Sequence, residues 1–144
     1  MITIKQYFGH KIEHEDATQQ RQDNAEVLLS RVNVLLDYAE MQSAYEVVHN
    51  PYTDTQISGS KGGSGDGGFR LQTSSTGAAR SSHKEGMGID VYDPGDRLDK
   101  WLTDEILEEF DLYREHPDYT RGWCHLQTRP VVSGGKAIRT FKPY

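Results

Sequence analysis

Cys124 is the chain's only cysteine, so no disulfide can form within it. No stretch approaches the roughly 20 apolar residues that a helix needs to cross a bilayer, which excludes that kind of membrane insertion. Basic residues are in the minority. Sixteen Lys and Arg against 22 Asp and Glu give a formal net charge of −6. A general nucleic-acid binder needs a basic face, as does a protein that docks on anionic lipid, so neither partner is expected. The first eight residues, Met1-Ile2-Thr3-Ile4-Lys5-Gln6-Tyr7-Phe8, lack the apolar stretch and cleavage site of a secretory signal. The expectation is synthesis in a cytoplasm, with any target outside the cell reached by delivery or lysis. No internal repeat is present.

A chain of 144 residues reads as one domain, long enough to bury about two-thirds of its unfolded surface without staples. Residues 1–17 are polar and mixed, with Tyr7 and Phe8 placed to tuck against the body. From Thr18 to Met41, Ala25, Val27, Leu28, Leu29, Val32, Leu35, Leu36 and Ala39 recur with the helix period. Ala44–Val48 suits a further turn or short strand, which Asn50-Pro51-Tyr52 breaks. The pattern divides the domain into an N-terminal helical part, about 1–50, and a core over about 55–142. In the core, Thr55–Ser58 reads as a short strand. Gly59–Gly68 is glycine-rich and reads as a surface loop or a mobile rim. Residues 96–110 predict a second helix, with Asp96 as its cap and Leu98, Trp101, Leu102, Ile106 and Leu107 as its apolar stripe. Leu112-Tyr113 leads into an extended piece, 117–122 is a loop, and Ser133–Lys136 is a turn before a last strand, Ala137–Phe141. The expected class is α+β: a small antiparallel sheet with flanking helices.

Chemistry concentrates in two segments. In Ser81-Ser82-His83-Lys84-Glu85-Gly86-Met87-Gly88-Ile89-Asp90, a histidine and an aspartate lie seven residues apart, joined by glycines that permit a tight turn. Met87–Tyr92 then reads as a strand with Ile89 and Val91 on one face and Asp90 on the other. Gly122-Trp123-Cys124-His125-Leu126 repeats the device. Cys124 and Leu126 face inward there, and His125 shares the outer face with Trp123 and Gln127. Two adjacent strands would bring Asp90 and His125 together, with His83 reaching in from the preceding loop. Two imidazoles and a carboxylate make a three-ligand Zn²⁺ site with a fourth position open, the pattern of a catalytic rather than a structural zinc. A non-haem iron site also uses two His and a carboxylate, but its common form sets the first His and the acid two apart. His10, His14 and His49 carry no partner pattern.

The pattern Ser-x-His-x-x-Gly-x-x-x-Asp over Ser81–Asp90, followed by Trp123-x-His125, resembles the zinc D-Ala-D-Ala carboxypeptidases. These belong to a wider group with lysostaphin-type enzymes and the hedgehog signalling domain. The resemblance covers roughly residues 55–142 and is closest to small phage-type peptidases. It implies a zinc metallopeptidase acting on peptidoglycan stem peptides, in the manner of an endolysin or cell-wall-processing carboxypeptidase, working as a monomer. In such enzymes an acid just before the last His moves the proton. Gly122 and Trp123 are not acids, so the candidates here are Glu115 and Asp118. Glu115 is favoured, because Leu112-Tyr113-Arg114-Glu115 resembles the Leu-Tyr-x-Glu stretch of phage-type sequences. His116 is a possible assistant. Arg70 is the expected substrate cation, with Lys61 as rival, since Ser58-Gly59 is followed by Ser60-Lys61 and not directly by arginine. Ser81 is expected to orient the metal loop, and Cys124 to be a buried thiol. The missing acid beside Trp123 also permits a second reading, a zinc-stabilised binding or structural module without catalysis.

Overall fold

Five of the 23 residues of the longest helix, Leu28, Leu29, Val32, Leu35 and Leu36, are large aliphatics that end up sealed in the core. A computed structural model describes residues 1–59 and 66–143. That helix, α2 (Gln19–Met41), begins where the Thr18 hydroxyl accepts from Arg21 N and satisfies one free amide of the first turn. Ahead of it lies α1 (Ile4–Phe8), opened by a reciprocal capping box between Thr3 and Gln6. Tyr7 and Phe8 are buried, as the sequence leads one to expect, and the Tyr7 hydroxyl donates to Gly88 O at 2.8 Å. The N-terminal helices share one hydrophobic cluster with the rest of the chain.

The main sheet is built from β1 (Gly88–Tyr92), β2 (Tyr113–Glu115), β3 (Trp123–Gln127) and, past a small separate hairpin of β4 (Val132–Ser133) and β5 (Lys136–Ala137), β6 (Thr140–Phe141). Its order is β1-β3-β2-β6. The first two pairings are antiparallel, but β2 and β6 run parallel, so the sheet is mixed and not purely antiparallel. The reason is topological. The chain leaving β3 turns through the hairpin and passes beyond β2. A strand laid there antiparallel to β3 must run parallel to β2. The expected single strand Ala137–Phe141 is accordingly two short pieces.

Three further expectations change. The helix over 96–110 divides into α3 (Arg97–Trp101) and α4 (Asp104–Glu109), because Leu102 is extended and the Thr103 hydroxyl accepts from Ile106 N to start a new helix. Asp96 does not cap α3. It sits in the left-handed region and accepts from Gly122 N, while Asp93 does the capping through Leu98 N and Asp99 N. Thr55–Ser58 is not a regular strand. It contributes isolated bridges, Asn50 with Thr55 and Ile57 with Val91, and runs beside β1 through Ser58 N to Asp90 O and Tyr92 N to Gln56 O. Ala44–Val48 forms no regular element.

Alternation along β1 and β3 separates the two faces of the sheet. Ile89, Val91, Cys124 and Leu126 are fully buried in the same cluster as the α2 leucines. Asp90 and His125 occupy the opposite face. The core thus fixes the strands while the other face is left for polar groups. No helix among the described residues is long and apolar enough to cross a membrane.

Candidate metal centre

The register of β1 on β3 sets Asp90 directly across from His125. Residues so paired carry their side chains on one face, with Cβ atoms about 4.5–5.5 Å apart. Here the His125 Nδ1 lies 2.8 Å from Asp90 Oδ1. His83 comes from a 3-10 turn, Ser82–Glu85, that runs into β1. Its Nε2 lies 3.3 Å from the same Asp90 oxygen. The two imidazole rings stand 5.1 Å apart between centroids. The three expected ligands are therefore brought together, their candidate ligand atoms all within 4.8 Å of one another.

Two glycines make this approach possible. Gly86 closes the 3-10 turn with a φ of 72°, and a Cβ there would meet the α2 backbone at Arg21 O, 2.3 Å away. At Gly88 a Cβ would stand 2.1 Å from Ser82 Oγ and 3.2 Å from His125 Cε1. The Ser81 hydroxyl accepts from His83 N and holds the turn, as expected of it.

Each histidine spends its other nitrogen on an acceptor. His83 Nδ1 donates to Gly68 O at 2.8 Å, leaving Nε2 as the ligand atom. His125 Nε2 donates to Gln127 Oε1 at 2.7 Å, leaving Nδ1. The amide of Gln127 is itself oriented, since its Nε2 donates to Arg129 O. Such outer partners fix the tautomer and ring direction of metal-binding histidines. Ligand atoms about 2.0–2.1 Å from a tetrahedral Zn²⁺ stand roughly 3.3–3.4 Å apart; the 3.3 Å from His83 Nε2 to Asp90 Oδ1 matches that edge, whereas the 2.8 Å from His125 Nδ1 is a hydrogen bond that would open slightly around a metal. Two neutral nitrogens, one carboxylate oxygen and a free side toward a cavity fit Zn²⁺ with an open position.

The charge states suit this use at His83 and Asp90, while His125 is held toward its protonated form, and a bound metal would displace that proton. Burial holds the His83 imidazole below its ordinary range despite Asp90 beside it. Burial also pulls His125 down, but its hydrogen bond to Asp90 and the charge of that carboxylate outweigh the effect and raise it. For Asp90 burial pushes upward, yet the facing histidines overcome it and keep the carboxyl ionised well below the usual range.

A cavity of about 420 Å³ opens over the three ligands. Glu115, at the end of β2, lines it and is half-buried; burial raises its carboxyl above the ordinary value, opposed chiefly by His125. Asp118 does not line the cavity. It is exposed and lies in the turn after His116, whose Nδ1 accepts from Asp118 N. His116 is likewise outside the cavity lining. Trp123 and Gln127 line the cavity with His125, as the strand alternation predicts, and Cys124 is buried on the far face.

Arg70 differs from its expected role. It is buried, and its Nη2 contacts Asp90 Oδ2 at 3.4 Å. Nε donates to Asp66 O, and Nη1 to Thr76 O and Ser81 Oγ. Four donors are committed, so the bidentate grip on a substrate anion is not open to it. The rival Lys61 and most of the glycine loop, 60–65, lie outside the described residues.

Sequence reasoning missed the Gly68 carbonyl and assigned no role to Gln127. A backbone acceptor has no residue signature. Gln127, two positions beyond His125 on the same strand face, could have been found from that spacing. A second acidic group, Asp93, Asp96 and Asp99, is also brought together; Asp93 caps α3, Asp96 accepts from Gly122 N, and Asp99 accepts from the Thr120 hydroxyl with one oxygen and faces Arg114 at 3.6 Å with the other. Comparison with protein-family models, with curated proteins and with solved structures finds no match.

Proposed function

We propose that the chain is a zinc metallopeptidase that hydrolyses peptidoglycan stem peptides. One observation carries this reading. A His-Asp-His donor set, oriented by its own hydrogen-bond partners, shares a cavity with a further carboxylate, the half-buried Glu115. The motif resemblance of Ser81–Asp90 and Trp123–His125 supplies the substrate class.

Bound Zn²⁺ would supply Lewis-acid polarisation of the scissile carbonyl and acidification of water. The remaining chemistry belongs to the chain. Glu115 takes a proton from water as the water oxygen attacks the carbonyl carbon. The new C–O bond replaces the C–N bond, and Glu115 returns the proton to the leaving nitrogen, giving an acid and an amine. Its raised carboxyl suits both halves of this exchange. Arg70 fixes Asp90 and the loop from Asp66 to Ser81; its one uncommitted N–H is what it can offer a substrate oxygen. Trp123 provides an apolar wall for the peptide. The protein works as a monomer on the cell wall, after delivery or lysis.

The test is digestion of purified cell walls by zinc-loaded protein, read by mass spectrometry. Release of D-Ala or of stem-peptide fragments is expected. Release of neither from any wall type would replace this reading with that of a zinc-stabilised binding module.

A further inference from the structure

Residues 67–70 pass between the N-terminal arm and the candidate ligands, and their backbone is hydrogen-bonded on both sides. Toward the ligands, Gly68 O accepts from His83 Nδ1 at 2.8 Å, Gly67 O accepts from Asp90 N at 2.8 Å, and Arg70 N donates to His83 O at 3.2 Å. The Arg70 guanidinium meets the Asp90 carboxylate from the same segment. Away from the ligands, Phe69 N donates to Tyr7 O at 3.0 Å, and Lys11 Nζ donates to Phe69 O at 2.9 Å. This is the alternation of an extended chain, in which successive residues turn their backbone groups to opposite edges. The Phe69 side chain is fully buried, its ring centroid 4.8 Å from that of Phe8. A Cβ on Gly68 would stand 2.3 Å from Tyr7 O, so α1 and this segment meet backbone to backbone.

The arm is itself anchored. Asn33 of α2 grips Ile2 by both backbone groups, accepting from Ile2 N at 2.8 Å and donating to Ile2 O at 2.9 Å. The buried Tyr7 hydroxyl donates to Gly88 O, two residues before Asp90. A continuous route therefore runs from Asn33 through Ile2, α1 and residues 67–70 to two of the three ligands. Metal-binding histidines take their ring direction from the partner of their other nitrogen. For His125 that partner is a side chain, Gln127, which is oriented by Arg129 O. For His83 it is a carbonyl, Gly68 O, whose place is set by whatever holds the backbone next to it. Tyr7 and Lys11 do so, through the N–H and C=O of Phe69.

We infer that α1 and the 3-10 turn after it, Gly9–Glu13, belong to the metal centre, with Tyr7 and Lys11 as positioning residues that hold Gly68 O against His83. The inference rests on the reading of His83, Asp90 and His125 as a zinc site. It extends that site to a part of the chain outside the motif resemblance. Loosening the arm lowers metal affinity through His83 and leaves the His125 side in place.

The test compares the full chain as wild type, Tyr7→Phe, Lys11→Met and the double variant, with Leu107→Ala, fully buried on α4, as a control for lost packing. Competition with a chromophoric chelator gives zinc affinity, and denaturant unfolding gives stability. Nitrogen-edited NMR of the zinc-free protein follows the His83 Nδ1 and His125 Nε2 protons. The double variant should bind zinc about ten-fold more weakly, the lower end of the cost of disturbing an outer partner. Its His83 proton should exchange faster with solvent, while the His125 proton keeps its native rate. Each single variant should show part of both changes. Lys11→Arg, which can still donate to Phe69 O, should restore zinc affinity and the His83 signal. Leu107→Ala should lose stability and keep native zinc affinity. Native affinity with a native His83 proton in a destabilised double variant would overturn the inference and leave the metal centre intact, as would an affinity that tracks stability in every variant, the control included. If the double variant does not fold, the single variants and Lys11→Arg decide by the same readouts. A wild type that binds no zinc removes the metal-centre reading, and the positioning role with it.

Discussion

Asp90 and His125 face each other across a β1–β3 pair, and their side chains meet at 2.8 Å. The backbone register alone sets this meeting. A slip of one residue would move one of them to the apolar face with Leu126 or Val91, which is why the buried alternation of both strands protects the site.

Gln127 holds His125 by its Nε2 proton. Replacing Gln127 with Ala should leave the fold in place and lower zinc affinity about 10–100-fold, the usual cost of removing an outer partner of a metal-binding histidine. Competition with a chromophoric chelator measures it. Unchanged affinity would mean that the register with Asp90 is sufficient to orient the ring.

Glu115 carries the proton in the proposed mechanism. Glu115→Gln should keep stoichiometric zinc and reduce turnover by roughly 10²–10⁴, whereas Asp118→Asn, outside the cavity, should be close to silent. The reverse pattern would assign the role to Asp118. As a base Glu115 must be ionised, and burial raises its carboxyl. Activity should therefore fall on the acid side through a pH above the ordinary glutamate range.

Gly88 leaves room for Ser82 and His125. Gly88→Ala would place a methyl group 2.1 Å from Ser82 Oγ. The expected cost is about 1–3 kcal/mol of stability, together with weakened zinc binding as the 3-10 turn shifts. Denaturant unfolding and chelator competition on one sample check both parts. A variant with native zinc affinity would show that the turn gives way without moving His83.

Asp99 is buried beside Arg114, with one carboxylate oxygen lacking a hydrogen-bond partner and 3.6 Å from the guanidinium. Burial raises its carboxyl to about 6, against smaller opposing contributions from Cys124, Thr120 and Arg114. A carboxyl raised on folding favours the folded state when protonated. Its contribution is present below the unfolded value, about 3.9, and is lost as pH rises through about 6. The unfolding free energy of Asp99→Asn minus that of wild type should thus grow with pH across this window. A flat difference between those limits contradicts the assignment.

Much of the site was legible because it is written in period two. Ile89 and Val91, and Cys124 and Leu126, declare the buried face, so Asp90 and His125 are left on the other. Glycines 86 and 88 mark the close approach of His83. What was not legible depends on backbone atoms or distant pairing. The break at Leu102 needed the Thr103 cap to be weighed against a continuous apolar stripe. The capping role of Asp93 hides behind Asp96, three residues nearer the helix. The parallel β6 depends on how the chain passes the β4–β5 hairpin. Arg70 looks like a free cation in sequence, and only the fold shows it tied to Asp90 and two loop carbonyls.

Metal content is the most direct check on the claim that His83, Asp90 and His125 are one site. Elemental analysis of zinc-loaded, chelator-washed protein should give one Zn²⁺ per chain for wild type and none for a folded His125→Ala variant. Stoichiometric zinc in that variant, or none in wild type, would contradict it.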